Sequence, residues 1–357
     1  MKNKIKISKN VRDNIITYAI VIAAFIVVEI MIQTGNISSL FNGLLVPLCV
    51  YVIMAVSLNL TVGILGELSL GHAGFMCIGA FTSAFFSKCM ENVITVDLLR
   101  FILALLIGAV SAGVFGLLIG MPVLRLKGDY LAIVTLAFGE IIKNIINVLY
   151  IGKDSNGLHF SMKDSLSLNM EADGEIIVNG AQGITGTPKS STFVIGVVLI
   201  LITLFIVLNL IQSRDGRAIM SIRDNEIAAE SIGINITKYK LMAFSISAAL
   251  AGVGGVLYAH NLNSLMATPK NFGYNMSITI LVFVVLGGIG IIRGSIISAV
   301  VLTLLPELLR GLNDYRMLIY SIVLIVMMLF NWSPDFINIR KKYSLKNRLH
   351  KKIKEEK

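Results

Sequence analysis

Charge is scarce in this chain. Only 15% of its 357 residues are Asp, Glu, Lys or Arg, while the apolar set AVILMFWYC makes up 55% and the mean hydropathy is +0.81. A soluble domain carries about a quarter charged residues. A water-soluble globule of this make-up would expose more apolar surface than soluble monomers tolerate. The composition also excludes a disordered chain and a disulfide scaffold. Its three cysteines, Cys49, Cys77 and Cys89, follow no disulfide or metal spacing. Cys49 and Cys77 lie inside apolar runs, where a small hydrophobe suits. The four histidines, at positions 72, 159, 260 and 350, are scattered without ligand spacing. Gly152-Lys153-Asp154 lacks the upstream glycine and the hydroxyl of a phosphate loop. The glycines at 288, 290 and 294 have the wrong spacing for a dinucleotide loop and lie between two apolar runs. No Gly-x-Ser-x-Gly turn and no paired catalytic carboxylates stand out. These absences predict a chain with no catalytic residues, no metal and no cofactor of its own.

Long apolar runs are what the sequence has in abundance. A membrane-crossing helix needs about 20 apolar residues. Ten segments approach that: 15–32, 40–62, 68–86, 101–124, 130–149, 193–211, 241–262, 276–292, 294–309 and 317–330. The first is too long for a signal-peptide core, and Gln33-Thr34-Gly35-Asn36 offers no small-residue cleavage site, so it reads as a retained span. The runs are too continuous for barrel strands, and backbone groups in hydrocarbon must pair internally. The expected fold is all-α, a polytopic helical bundle of about ten transmembrane helices (eight to ten). The pair 276–292 and 294–309 could instead form one re-entrant hairpin, because Gly287, Gly288, Gly290 and Gly294 loosen its middle.

The net charge of +10 sits entirely in two tails: residues 1–13 carry five basic side chains against Asp13, and residues 332–357 carry nine against three acids. The transmembrane region 14–331 between them is neutral. Basic tails flanking an apolar body fit a membrane surface and its lipid rather than nucleic acid. With both termini in the cytoplasm of a plasma membrane, 22 of the 31 basic residues fall inside and eight outside, Lys143 being intramembrane. That bias fits the positive-inside rule. Residues 151–191 become an external loop, rich in Ser and Gly and without apolar periodicity, expected to hold little structure of its own.

Two features could carry function. The cytoplasmic loop 212–240 contains a candidate short helix: Asn225 can cap it, Glu226 suits its positive end, and Gly233 can take the left-handed position after it. About two turns cannot persist alone in water. The helix either plugs Ile227, Ala228, Ala229 and Ile232 into a partner's groove or lies on the bilayer surface. The second feature is intramembrane polarity. Glu140 and Lys143 are three apart on one helical face. They either line a substrate path or form a structural ion pair. Asn59 and His72 read first as helix–helix hydrogen bonders, with a place on the path as the alternative. The small residues Ala248, Ala251, Gly252, Gly254 and Gly255, and Gly108, Gly113, Gly116 and Gly120, mark seams of close helix packing.

A resemblance emerges from several motifs in order. Leu58-Asn59-Leu60-Thr61-Val62-Gly63, Leu70-Gly71-His72-Ala73-Gly74-Phe75 and Ile78-Gly79-Ala80 are joined by Leu124-Arg125-Leu126-Lys127-Gly128-Asp129-Tyr130-Leu131-Ala132-Ile133-Val134-Thr135-Leu136 and Phe138-Gly139-Glu140-Ile141-Ile142. Gly183-Ile184-Thr185-Gly186, the loop 216–233, and the stretch from Val285-Leu286-Gly287-Gly288-Ile289-Gly290 through Leu305-Pro306-Glu307 follow. Over most of residues 40–330 the chain resembles branched-chain amino acid ABC transporter permeases of the LivM type. The resemblance implies one of two dissimilar permease subunits, partnered by a LivH-like permease, two cytoplasmic ATPase subunits that bind ATP and magnesium, and an extracytoplasmic amino-acid-binding protein. It implies a coupling helix made by Arg223, Asn225, Glu226, Ile227, Ala228, Ala229 and Gly233. The Ala-Ala and Gly spacing of the family's coupling pattern is kept. Ile227 replaces its first acid, Glu226 stands one place early, and its later Leu-Pro is absent. Transport of Leu, Ile or Val by alternating access is the expectation. The alternatives are a related importer for urea or another small solute, an ion-driven secondary transporter, and, disfavoured, a membrane enzyme.

Overall fold

The computed structural model describes residues 9–35, 38–126, 128–155, 157–171 and 174–332. Most of the two basic tails, and Lys127, lie outside the described residues. Each of the ten apolar runs contains a helix: α1 (Lys9–Gln33), α2 (Ser39–Asn59), α3 (His72–Cys89), α4 (Asp97–Val123), α5 (Asp129–Asn147), α6 (Phe193–Gln212), α9 (Ile236–Ala259), α11 (Tyr274–Gly287), α12 (Ile292–Leu308) and α13 (Arg316–Trp332). Two short helices, α7 (Arg214–Asp224) and α8 (Glu226–Ser231), fill the loop after α6, and a single turn, α10 (Pro269–Phe272), leads into α11.

Among the described residues, seven spans are long and apolar enough to cross a membrane: those of α1, α2 with its extension to Leu65, α4, α6, α9, α10 with α11, and α12. Helices α3, α5 and α13 have 18, 19 and 17 residues and are shorter or more polar than those seven. The helical membrane class stands as mostly helical, with the count of ten an approximation. The turn at Gly288 and Gly290, with φ of 97° and 80°, separates two helices that each reach membrane length with their flanking turns.

Helix α9 lies at the centre, packed along α2, α3 and α4. Lipid tails are as apolar as leucine, so close approach of backbones rather than hydrophobic transfer holds such a seam. A Cβ on Gly79 would come within 2.4 Å of the Gly252 carbonyl, and one on Gly116 within 2.6 Å of Ala248. The small-residue seams are therefore contact lines. The opposite side of α4 exposes Leu98, Ile102, Leu106, Val110 and Leu118, and α1 is exposed along most of its length. Cys49 and Cys77 are fully buried.

One departure from regular helix matters. The last turn of α2 widens into a buried π-helix, Leu60–Leu65, ended by Gly66 at φ 83°. Residues 66–71 then run irregularly before α3 begins. Non-helical backbone at this depth must be satisfied by protein. The Leu70 amide donates to Thr135 Oγ1 of α5 at 3.0 Å.

The 151–191 region is folded, contrary to expectation. Strands β1 (Tyr150–Asp154), β2 (Gly157–Ser161) and β3 (Glu175–Asn179) form an antiparallel sheet in the order β2-β1-β3. Strand β4 (Ile184–Thr185) pairs with β5 (Ser264–Leu265). Ile151, Leu168, Ile177 and Val178, in and beside the sheet, are buried. Lys88, at the end of α3, pairs with Glu175 at 3.2 Å, and Lys153 donates to the Cys89 carbonyl at 3.0 Å. The apolar side chains are too few and too irregularly spaced to give a periodic signal, because the ends of the helices supply the other half of this small core.

Candidate functional site

Helices α7 and α8 lie at the end of the bundle opposite the three-stranded sheet. Ser213 caps α7, its Oγ accepting the Gly216 amide at 3.0 Å. Asn225 adopts an extended backbone that breaks the helix, and its Oδ1 accepts the Ala228 amide at 3.0 Å, starting α8. At the other end Gly233, φ 86°, donates to the Glu230 carbonyl and Ile234 donates to the Ala229 carbonyl, at 2.9 and 3.1 Å. That closure satisfies carbonyls a six-residue helix would leave open.

An ion triad fixes α8 to the bundle. Lys240, buried at the start of α9, places Nζ 2.6 Å from Glu67 and 3.4 Å from Glu226. Ala229 is 2% exposed and packs inward, so it does not share the outward surface expected of it. What faces out is Ala228 with Ile227 and Ile232, the two isoleucines 80% and 75% exposed. Arg223, though exposed, reaches back to the bundle. Its Nη1 donates to the Gly63 carbonyl at 3.0 Å, and its Nε and Nη2 hold Asp224 at 3.1 and 2.9 Å. Gly66 must lack a side chain here, since a Cβ would sit 2.5 Å from Arg223 Cγ.

From the π-helix the connection continues to the turn before α12. Asn59 is fully buried; its Nδ2 donates to Ser295 Oγ at 2.8 Å and its Oδ1 accepts the Gly290 amide at 2.9 Å. His72 Nε2 meets Ser57 Oγ at 2.7 Å, and the Ser57 carbonyl accepts from Ser247 of α9 at 2.6 Å. Glu140 forms an ion pair with Lys143, and its other oxygen accepts the Tyr274 amide at 2.8 Å. A carboxylate at that position caps the amino end of α11, where the helix dipole favours it. Asn59, His72 and the Glu140–Lys143 pair therefore engage three different sets of partners and are not gathered into one cluster. Sequence reading missed Glu67, Lys240, Gly63 and Ser295. The first two carried a signal, opposite charges at the edges of apolar runs; Ser295 carried none.

A profile described as "Branched-chain amino acid transport system / permease component" matches residues 40–330. The permease protein LivM of the high-affinity branched-chain amino acid transport system of Salmonella typhimurium is 35% identical over 295 residues, 80% of this chain and 67% of that protein. The Escherichia coli LivM matches to the same extent. The LivH permease of Salmonella typhimurium is 23% identical over 300 residues, covering 82% of this chain and 92% of that one. No solved structure matches. With a helical membrane bundle, an outward-facing capped helix and a family profile spanning most of its length, the chain belongs to the branched-chain amino acid transport system permease family.

Proposed function

We propose that this chain is the LivM-like permease subunit of an ATP-binding-cassette importer for branched-chain amino acids, working by alternating access. It performs no chemistry itself: ATP is bound with magnesium and hydrolysed by two cytoplasmic ATPase subunits. A LivH-like permease pairs with it in the plasma membrane. A substrate-binding protein approaches the sheet at 150–179, which puts α8 and both termini in the cytoplasm.

The observation that carries this reading is α8: a six-residue helix capped at both ends, tethered on its inner side by Glu226–Lys240–Glu67, with Ile227 and Ile232 facing out. Apolar side chains held outward on a rigid knob suit a groove in a partner. A push on α8 reaches the π-helix through Lys240–Glu67 and Arg223–Gly63, then the α11–α12 turn through Asn59. Hydrogen bonds to charged groups contribute about 1.5–3 kcal/mol each, enough to transmit a displacement without breaking first. Glu140 is committed to Lys143 and the Tyr274 amide, which supports a structural role rather than that of an ion carrier.

Two measurements test the proposal. Vesicles holding the full set of subunits take up leucine only with ATP and the binding protein; uptake by this polypeptide alone refutes it. The double variant Ile227→Asp/Ile232→Asp inserts normally but loses the ATPases, by at least about 100-fold in affinity if two apolar anchors are lost. Unchanged association removes α8 from the coupling role.

A further inference from the structure

Two cavities lie one above the other along the same three helices. The first, of about 790 Å³, opens at the end of the bundle where α7 packs. Its walls include Asn14 and Thr17 of α1, Gln212 at the end of α6, Arg217 and Arg223 of α7, and Arg293 at the start of α12. Three arginines line it: Arg223 pairs with Asp224 and donates to the Gly63 carbonyl, Arg217 donates to the Gln212 carbonyl at 3.1 Å, and Arg293 is also engaged. The second cavity, of about 470 Å³, continues along α1, α6 and α12 toward the other face of the membrane. It is apolar almost throughout, walled by Val21 and Phe25, Val197 and Ile200, and Ile296 and Val300, with α2 as its floor.

We infer that this paired cavity is a binding site for an anionic glycerophospholipid, its phosphate among Arg217, Arg223 and Arg293 and one acyl chain in the slot behind α1. The dimensions agree. On α1 the polar mouth ends at Thr17 and the slot runs from Ile20 to Met31. At 1.5 Å per residue that slot is about 16 Å long and begins below the mouth, so it has the length to take an extended acyl chain running into the hydrocarbon core. The mouth sits at Asn14 and Thr17, the start of the Asn14–Gln33 span, so a headgroup there lies at the level of a leaflet's headgroups. Guanidinium forks match phosphate oxygens, and the site is too apolar beyond the mouth for a free phosphate to account for its length. Basic pockets between helices at a membrane surface are suited to such headgroups. The inference requires only that the chain spans the membrane; it is independent of the role given to α8.

The test uses the full-length chain with its native partner subunits, returned from detergent to bilayers of phosphatidylcholine doped with phosphatidylglycerol. After re-extraction, retained lipid is identified by native mass spectrometry. Phosphatidylglycerol, not phosphatidylcholine, is expected to stay bound. Arg217→Gln/Arg293→Gln lowers retention about 30-fold, the effect of two charges near a headgroup. Arg217→Lys/Arg293→Lys, which keeps the charge without the fork, restores part of it, which a folding defect would not allow. Ile297→Trp, at an exposed slot position, blocks the acyl chain with the arginines intact. Equal retention of phosphatidylcholine overturns the inference, and so does retention unchanged in the glutamine variant. Displacement by inorganic phosphate would assign the mouth to a free anion, and absence of lipid from the intact complex would assign the slot to a neighbouring protein helix; either outcome overturns it as well.

Discussion

A Gly→Ala change inside a helix normally stabilises by up to about 1 kcal/mol, because alanine loses less backbone freedom. Gly63 reverses that sign. A Cβ there would fall 1.9 Å from Asn59 Oδ1 and 2.3 Å from the Gly290 amide nitrogen. Backbone cannot swing aside as a side chain can, and Asn59 is itself held by Gly290 and Ser295. Gly63→Ala is expected to destabilise by about 1–3 kcal/mol, the usual range for overpacking. Gly43 in α2 has open space around it, so Gly43→Ala is the matched control and should be neutral or slightly stabilising. Thermal unfolding of the two variants in detergent reads the contrast. Equal midpoints would mean that the π-helix and the α11–α12 turn are not in the close contact described here.

At the scale of elements, α8 shows how far local signals reach. Asn225 before an acidic residue, and Gly233 seven residues after Glu226, mark its ends because caps are local chemistry. Which side of α8 faces out was not legible, since Ala228 and Ala229 are identical in sequence and only the packing against the bundle buries one of them. The sheet at 150–179 was missed for a related reason. Its β-branched run Glu175-Ile176-Ile177-Val178-Asn179 is a strand signal, but its partners are short and its floor is made by helix ends far away in sequence. The cap makes a prediction of limited reach. Asn225→Ala removes the acceptor of the Ala228 amide and should cost α8 about 1 kcal/mol. Lys240 still holds Glu226, so the loss stays local. Hydrogen exchange should speed about fivefold at the α8 amides while the melting temperature of the whole protein stays put. A global shift with unchanged α8 exchange would place the cap's contribution elsewhere.

At the scale of the whole molecule, the apolar runs were legible because the bilayer imposes one length and one polarity on every crossing segment. The links between segments were not, because hydrogen bonds such as Asn59 to Ser295 join residues 236 positions apart. The expected orientation follows from the distribution of basic side chains and can be tested on this structure directly. Cys49, Cys77 and Cys89 are all buried, so a membrane-impermeant maleimide meets little background. Leu166, 86% exposed beside the sheet, and Ile227, 80% exposed on α8, occupy opposite ends of the bundle. In intact cells stripped of any outer layer, Leu166→Cys should label and Ile227→Cys should not; permeabilised cells should label both. An odd number of crossings lies between the two positions on this fold, α6 alone separating 166 from 227, so the result depends on a single helix and not on the total count. Labelling of both from outside would return α6 to one side of the membrane and take α8 away from any cytoplasmic partner.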